Sequence, residues 1–214
     1  MNDMSGINIF QASFQYLTEC VRNTIQGLDR DRLAKIFHVL IETRNNKRDV
    51  IVDGQGRSLQ SLLLMEDCLE HNQFKIIVPA SNANLRPWKK NDVFIFNSGS
   101  GTGSTIQHAL AAKADGLHII GMTHNAELVK IFDHILLLNR LKEHIVEYAP
   151  LGTEFEFTSA VIGSCIGASV KDTVEDSMNA FDHSAINLLR LFEMTYKHLE
   201  INLESLMAFI GLIS

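Results

Sequence analysis

The sequence of 214 residues predicts a three-layer, doubly wound α/β fold built on a five-stranded parallel sheet. Two observations carry this expectation. Short, near-continuous apolar runs rich in β-branched residues alternate with segments whose apolar residues recur at helical spacing, and strands apolar on both sides suit a sheet covered by helices on both faces. Several of the runs also stop abruptly at glycine, proline or serine, as strands leading into turns do.

Taken in order, the chain opens with two amphipathic helices, marked by Phe14, Leu17, Cys20, Val21 and Ile25 and then by Leu33, Ile36, Phe37, Leu40 and Ile41. The first strand is Asp49-Val50-Ile51-Val52, ended by Gly54 and Gly56 and followed by a helix from about Ser58 to Glu70. The second is Phe74-Lys75-Ile76-Ile77-Val78, stopped by Pro79, and the third is Val93-Phe94-Ile95-Phe96, stopped by a serine- and glycine-rich loop. A helix carrying Ile106, Ala109, Leu110 and Ala112 leads to the fourth strand, Leu117 to Gly121, and Ile135 to Leu138 is the fifth. Helical sequence returns from Phe155 to the C-terminus, with a break near Lys171 to Asp176. Strands alternating with helices join by right-handed crossovers.

Hydrophobic content of 46% and charged content of 21% give one substantial core, and no linker, repeat or low-complexity tract divides residues 1–214, so a single domain is expected. A formal net charge of -6 opposes binding to nucleic acid or an anionic membrane surface, although a small phosphorylated ligand, gripped locally, stays compatible with it. Three cysteines, Cys20, Cys68 and Cys165, lack ligand spacing and read as core residues of a reduced compartment. No apolar run approaches the roughly 20 residues of a membrane span, and the first ten residues carry no leader pattern, so a cytoplasmic protein is expected.

The segment Asn97-Ser98-Gly99-Ser100-Gly101-Thr102-Gly103-Ser104-Thr105 lies directly between a strand and a helix. Glycines let the backbone approach an oxyanion, hydroxyls donate to it, and the helix start adds unpaired N–H groups with a favourable dipole. The alternative is a tight turn in which Ser104 or Thr102 only caps the helix. Neither a Walker loop nor a dinucleotide-binding fingerprint fits. A second glycine turn, Gly54-Gln55-Gly56-Arg57-Ser58, also follows a strand, and in open parallel sheets ligands settle where two such loops face each other.

Three ordered motifs carry a family resemblance: Gly-x-Gly-Arg-Ser after the first strand, Ser-Gly-Ser-Gly after the third, and Ala149-Pro150-Leu151-Gly152-Thr153-Glu154-Phe155-Glu156 after the fifth. From about Ala12 to Leu188 the chain resembles the SIS (sugar isomerase) family, and its Pro-Leu-Gly-Thr-x-Phe-Glu segment most resembles the 6-phospho-3-hexuloisomerases, which form fructose 6-phosphate from its 3-keto isomer. The resemblance implies a flavodoxin-like strand order with extra helices at both ends. It implies a sugar phosphate as ligand, held by Ser98, Gly99, Ser100, Gly101, Thr102 and Ser104 together with Gly56, Arg57 and Ser58. It implies Glu156 as the base that moves the proton, and a homo-oligomer, dimer or tetramer, with shared sites.

The base assignment also makes chemical sense, because one carboxylate can remove a proton beside a carbonyl and return it to the next carbon through an enediol. Neither a metal nor an organic cofactor is needed. Without the resemblance, Glu156 reads as a first-turn carboxylate favoured by the helix dipole. The sequence departs from the family pattern in two places. Thr102 and Gly103 stand where the family has Glu-Thr, and the His-x-Asn-Leu segment is replaced by Ala185-Ile186-Asn187-Leu188, with His183 two residues earlier as a substitute or an ordinary surface histidine. A rival placement at His198 to Leu203 puts Glu200 at the histidine position.

Two further functions therefore stand beside the hexuloisomerase: isomerisation of another sugar phosphate, such as a pentose phosphate, and a non-catalytic sugar-phosphate sensor. His108, His118, His124, His134 and His144 are scattered without metal-ligand spacing, so no metal is expected. His124, after the fourth strand, faces the same end of the sheet, or else caps the next helix. Trp88 reads as a cover over the connection between the second and third strands, and Arg44 to Arg48 as a solvated loop.

Overall fold

Val50, Ile51 and Val52 are almost wholly buried, as a β-branched run between two helical layers requires, and they form β1 (Asp49–Gly54) inside the sheet. The computed structural model describes residues 3–79, 88–138, 148 and 153–211. β1 pairs in parallel with β2 (Lys75–Ile77) on one side and β3 (Val93–Asn97) on the other, and β4 (His118–Thr123) and β5 (His134–Leu137) follow. The order is β2-β1-β3-β4-β5, all parallel, which is the expected flavodoxin-like arrangement. Gly54 stands opposite Asn97, and Asn97 opposite Met122, so the C-terminal ends of β1, β3 and β4 lie level.

The two faces separate by the alternation of the strands. Val50, Val52, Val93, Ile95, Ile120, Met122 and Leu136 meet one set of helices: α2 (Arg30–Asn45), α3 (Arg57–His71), α5 (Thr153–Ser169) and the start of α6 (Val174–Gly211). Ile51, Phe94, Phe96, Ile119 and Ile135 meet α4 (Ser104–Ala114), Leu128 of the 3₁₀ turn Ala126–Lys130, and Phe132. Trp88 packs on this second face, its ring 5.8 Å from that of Phe94; the connection it was expected to cover, 80–87, lies outside the described residues.

The terminal helices are extra layers. α1 (Asp3–Gly27) packs on α5 and α6, and Phe14 stacks edge-on against Phe192 at 6.1 Å. α6 has 38 residues, about 57 Å at the α-helical rise, and is held to the first two helices by the Arg22–Glu193 and Arg30–Asp182 pairs. The break before it falls between Ser169 and Val174, as expected, and Thr173 starts it by bonding the Asp176 N–H at 3.1 Å.

Cys20 and Cys165 are buried and unpaired, and burial pushes their thiols up to about 11 and about 12. Cys68 is also unpaired. Among the described residues no helix is long and apolar enough to cross a membrane.

Gly121 of β4 lies directly beneath the Phe96 ring and Ile135, in space that a Cβ would invade. Gly121→Ala is expected to cost about 1–3 kcal/mol by overpacking, read as a lower denaturant midpoint at unchanged slope. An unchanged midpoint would show that this face of the core yields.

Candidate functional site

The level ends of β1 and β3 fix where the two glycine loops emerge. β2 leaves β1 on one side and β3 continues the sheet on the other, so the loops diverge at the switch in strand order and a cleft opens between them. Gly56, at φ +55°, is the N-cap of α3, and Gly103, at φ +83°, is the N-cap of α4. Both conformations are ones that L side chains rarely adopt. Neither helix start receives a side-chain cap, so the capping alternative for Ser104 and Thr102 is not what the chain does. Thr102 Oγ1 instead lies 2.9 Å from Ser100 Oγ, and Ser104 Oγ accepts from Gln55 Nε2 at 2.6 Å, across the two loops.

The cleft holds about 360 Å³, ample for one small polar ligand. Its walls include Ser58 from α3, Ser98, Gly99, Ser100 and Thr102 from the loop after β3, and Glu156 from the first turn of α5. The motif residues 149–152 lie outside the described residues, but Thr153, Glu154, Phe155 and Glu156 are in place. Ser58 Oγ donates to Glu156 Oε1 at 3.3 Å, and Arg57 Nη2 lies 3.4 Å from Oε2. A second guanidinium nitrogen donates to Thr153 Oγ1 at 3.3 Å. Gly101 turns the loop, where an added Cβ would lie 2.7 Å from that of Asn125.

Burial holds the Glu156 carboxyl above the usual carboxylate range, the neighbouring Arg57 charge and the Ser58 hydrogen bond pulling the other way. Its side chain is only 19% exposed. A carboxyl so placed is a proton acceptor that is easier to reprotonate than an ordinary surface glutamate. Beside it runs a lining of hydroxyls and helix-start N–H groups, the donor set that suits a phosphate.

His183 does not join this group. It is exposed on α6, next to the Asp182 that binds Arg30, and is not among the residues lining the cleft. Ala185 is buried in the core. For the rival placement, His198 is exposed, and the side chains beyond it lie outside the described residues. His124 does line the cleft, its ring 4.8 Å from that of Phe155 and edge-on to it, while Asn125 performs the capping that the sequence had left open for His124. Among the described residues no three histidine, cysteine or acidic side chains gather as a metal site would require.

Sequence reasoning assigned no role to Gln55, Asn97, Glu154 or Phe155, all of which line the cleft. Glu154 is almost fully buried two residues before Glu156, a helical spacing at which side chains do not face each other, so its place in the lining was not readable from the sequence. Asn97 was read as the first loop residue. Its side chain instead turns inward, with Nδ2 2.9 Å from the Ser58 carbonyl, 2.8 Å from Ser61 Oγ and 2.9 Å from Ser159 Oγ.

No protein-family profile and no curated protein matches the chain by sequence. Solved structures do match. One, from Methanococcus jannaschii, is described as inferring a molecular function of 3-hexulose-6-phosphate isomerase; it shares 20% identity over 88% of this chain and 92% of its own, with a TM-score of 0.54. Phosphoheptose isomerase from Neisseria gonorrhoeae shares 12% over 80% and 96%, with a TM-score of 0.56. The Vibrio vulnificus NanR protein complexed with ManNAc-6P shares 18% over 99% and 73%, with a TM-score of 0.52. These likenesses show a shared fold.

The raised Glu156 pKa has a consequence for stability. A carboxyl whose folded pKa exceeds its unfolded value contributes fully below the unfolded pKa and loses that contribution as pH rises through the folded one. Glu156→Gln is therefore expected to gain stability over the wild type near neutral pH, the difference shrinking as pH falls below the carboxylate range. Denaturant melts of both proteins across that range test it, and a difference independent of pH would overturn it.

Proposed function

We propose that this chain is a sugar-phosphate isomerase of SIS type, acting on 3-hexulose 6-phosphate to give fructose 6-phosphate. One observation carries the reading: the Glu156 carboxylate, with its raised pKa, its Ser58 donor and the Arg57 charge beside it, opens into the same cleft as the hydroxyl-rich loop at the start of α4. The shared fold with isomerases of phosphorylated sugars supports it.

In the proposed reaction the hydroxyls of Ser98, Ser100, Thr102 and Ser104 and the α4 N–H groups hold the phosphate. Glu156 takes the C2 proton, the C2–H electrons form the C2=C3 bond, and the C3 carbonyl oxygen becomes an enediol oxygen stabilised by a donor such as Ser58 or Arg57. The O2–H proton passes to O3 as the C2 carbonyl forms, and the C2=C3 electrons take the proton back from Glu156 at C3. The carbonyl has moved by one carbon with no net change in oxidation.

The chain is read as one SIS-type domain over residues 1–214, working in the cytoplasm as a homo-oligomer. Exposed Ile9, Phe10, Leu191 and Met194 on α1 and α6 support such contacts. His183, exposed and outside its own chain's cleft, is proposed to act in a neighbouring subunit's site. A second reading, sugar-phosphate binding without turnover, draws on Ala185 and on Thr102-Gly103, where the family pattern is broken.

Proton exchange in heavy water, followed by NMR over a panel of pentose and hexose phosphates, decides between them. Deuterium is expected beside the carbonyl of fructose 6-phosphate, with the rate rising with pH through the raised Glu156 pKa and vanishing in Glu156→Gln. Exchange on a pentose phosphate alone would change the substrate; tight binding without exchange would favour the second reading. Ser100→Ala is expected to weaken sugar-phosphate affinity by about 3- to 10-fold, the worth of one hydroxyl hydrogen bond. Unaltered affinity would remove Ser100 from the phosphate site. If His183 serves a neighbour, mixed oligomers of Glu156→Gln and His183→Ala chains regain activity that neither has alone.

A further inference from the structure

We infer that Asn97 is a positioning residue for the proton transfer, tying the first turns of α3 and α5 together so that Ser58 and the Glu156 carboxylate keep a fixed relation; this rests on Glu156 being the base. Asn97 closes β3 with no exposed surface. The Ser58 carbonyl can only accept a hydrogen bond, so the atom 2.9 Å from it must be the amide nitrogen, which settles the orientation of the side chain. The other N–H is shared between the Ser61 and Ser159 hydroxyls, themselves 3.1 Å apart.

Each hydroxyl passes the bond onward to the backbone of its own helix. Ser61 Oγ donates to the Ser58 carbonyl at 3.0 Å, and Ser159 Oγ donates to the carbonyl of Glu156 at 3.1 Å. One buried amide thus holds the backbone of the residue that donates to Glu156 and, through Ser159, the backbone of Glu156 itself. Packing alone would bring the two helices together, as the close fit of Gly163 and Gly167 of α5 on Met65 and Cys68 of α3 shows. Packing does not set the height of one first turn against the other, whereas directional hydrogen bonds do.

The arrangement also has a cost that an apolar core would avoid. Asn97 Oδ1 is buried with no hydrogen-bond partner, so an apolar side chain of similar shape would suit the fold better. A polar group kept at such a position is the local inconsistency expected where function competes with stability.

The test is steady-state turnover and heavy-water exchange with the wild type, Asn97→Leu and Ser159→Ala, each checked for folding by its thermal midpoint. With the helices free to slide, Asn97→Leu is expected to lower kcat by about 10- to 100-fold while KM changes less than about threefold, because the phosphate loop is intact. Its midpoint should equal or exceed that of the wild type. Ser159→Ala, which cuts only the link to Glu156, is expected to lower kcat by several fold with KM unchanged, and it carries the test should Asn97→Leu not fold.

Wild-type kcat in the folded variants, or a raised KM with kcat intact, overturns the positioning role and leaves the isomerase reading standing. A wild-type chain that exchanges no deuterium with any sugar phosphate overturns both.

Discussion

The site depends on one constraint, the parallel pairing of β1 with β3. Because Gly54 and Asn97 sit opposite each other, the loops that leave these strands start side by side, and because β2 lies on the far side of β1, they must part. The chain between them cannot fill the gap with a strand. Two helix starts without side-chain caps are left facing the cleft, a local excess of N–H donors in a protein whose net charge is -6. Long-range repulsion of an anion is thereby opposed at short range, where dipoles and hydrogen bonds outweigh screened charge.

Against this donor-rich wall stands one carboxylate. Ionised Glu156 is disfavoured by burial and favoured by Arg57 and Ser58, and burial prevails. Burial and these two neighbours therefore act in opposition on the same carboxyl, an arrangement met at groups that exchange protons. The half-exposed Arg57 matters here, because a fully buried guanidinium at the same distance would hold the carboxylate ionised far more firmly.

The layers divide the work. The face bearing α2, α3 and α5 carries both the larger core and the residues around Glu156, whereas α4 on the opposite face brings only its N-terminus to the cleft. Substitutions deep in the first core are therefore coupled to the site through α3 and α5. The terminal helices add a further layer outside α5, which accounts for a sequence longer than the sheet and its crossovers need.

The strands, the helices and both glycine loops were legible because their signals are local: β-branched runs, a 3.6-residue period, and glycines at positions that need positive φ. Ser98 and Ser100 could be named for the same reason, whereas Glu156 and Ser58 were named only through the resemblance of the motifs that hold them. Asn97 was not legible. Its identity suits a loop or a turn equally, and only the approach of Ser61 and Ser159, 36 and 62 residues away, makes it a cross-link.

By itself, then, the sequence determined the order of the five strands and of the helices around them, though not the 3₁₀ turn Ala126–Lys130, and which loops carry donors, since backbone preference and apolar periodicity act over a few residues. The tertiary structure alone decided that Ser104 bonds Gln55 instead of capping its helix, that His124 lines the cleft while His183 does not, and that Glu156 is buried enough to shift its pKa. Those outcomes depend on distances between segments far apart in the chain, and on the water excluded when they meet, which no local pattern encodes.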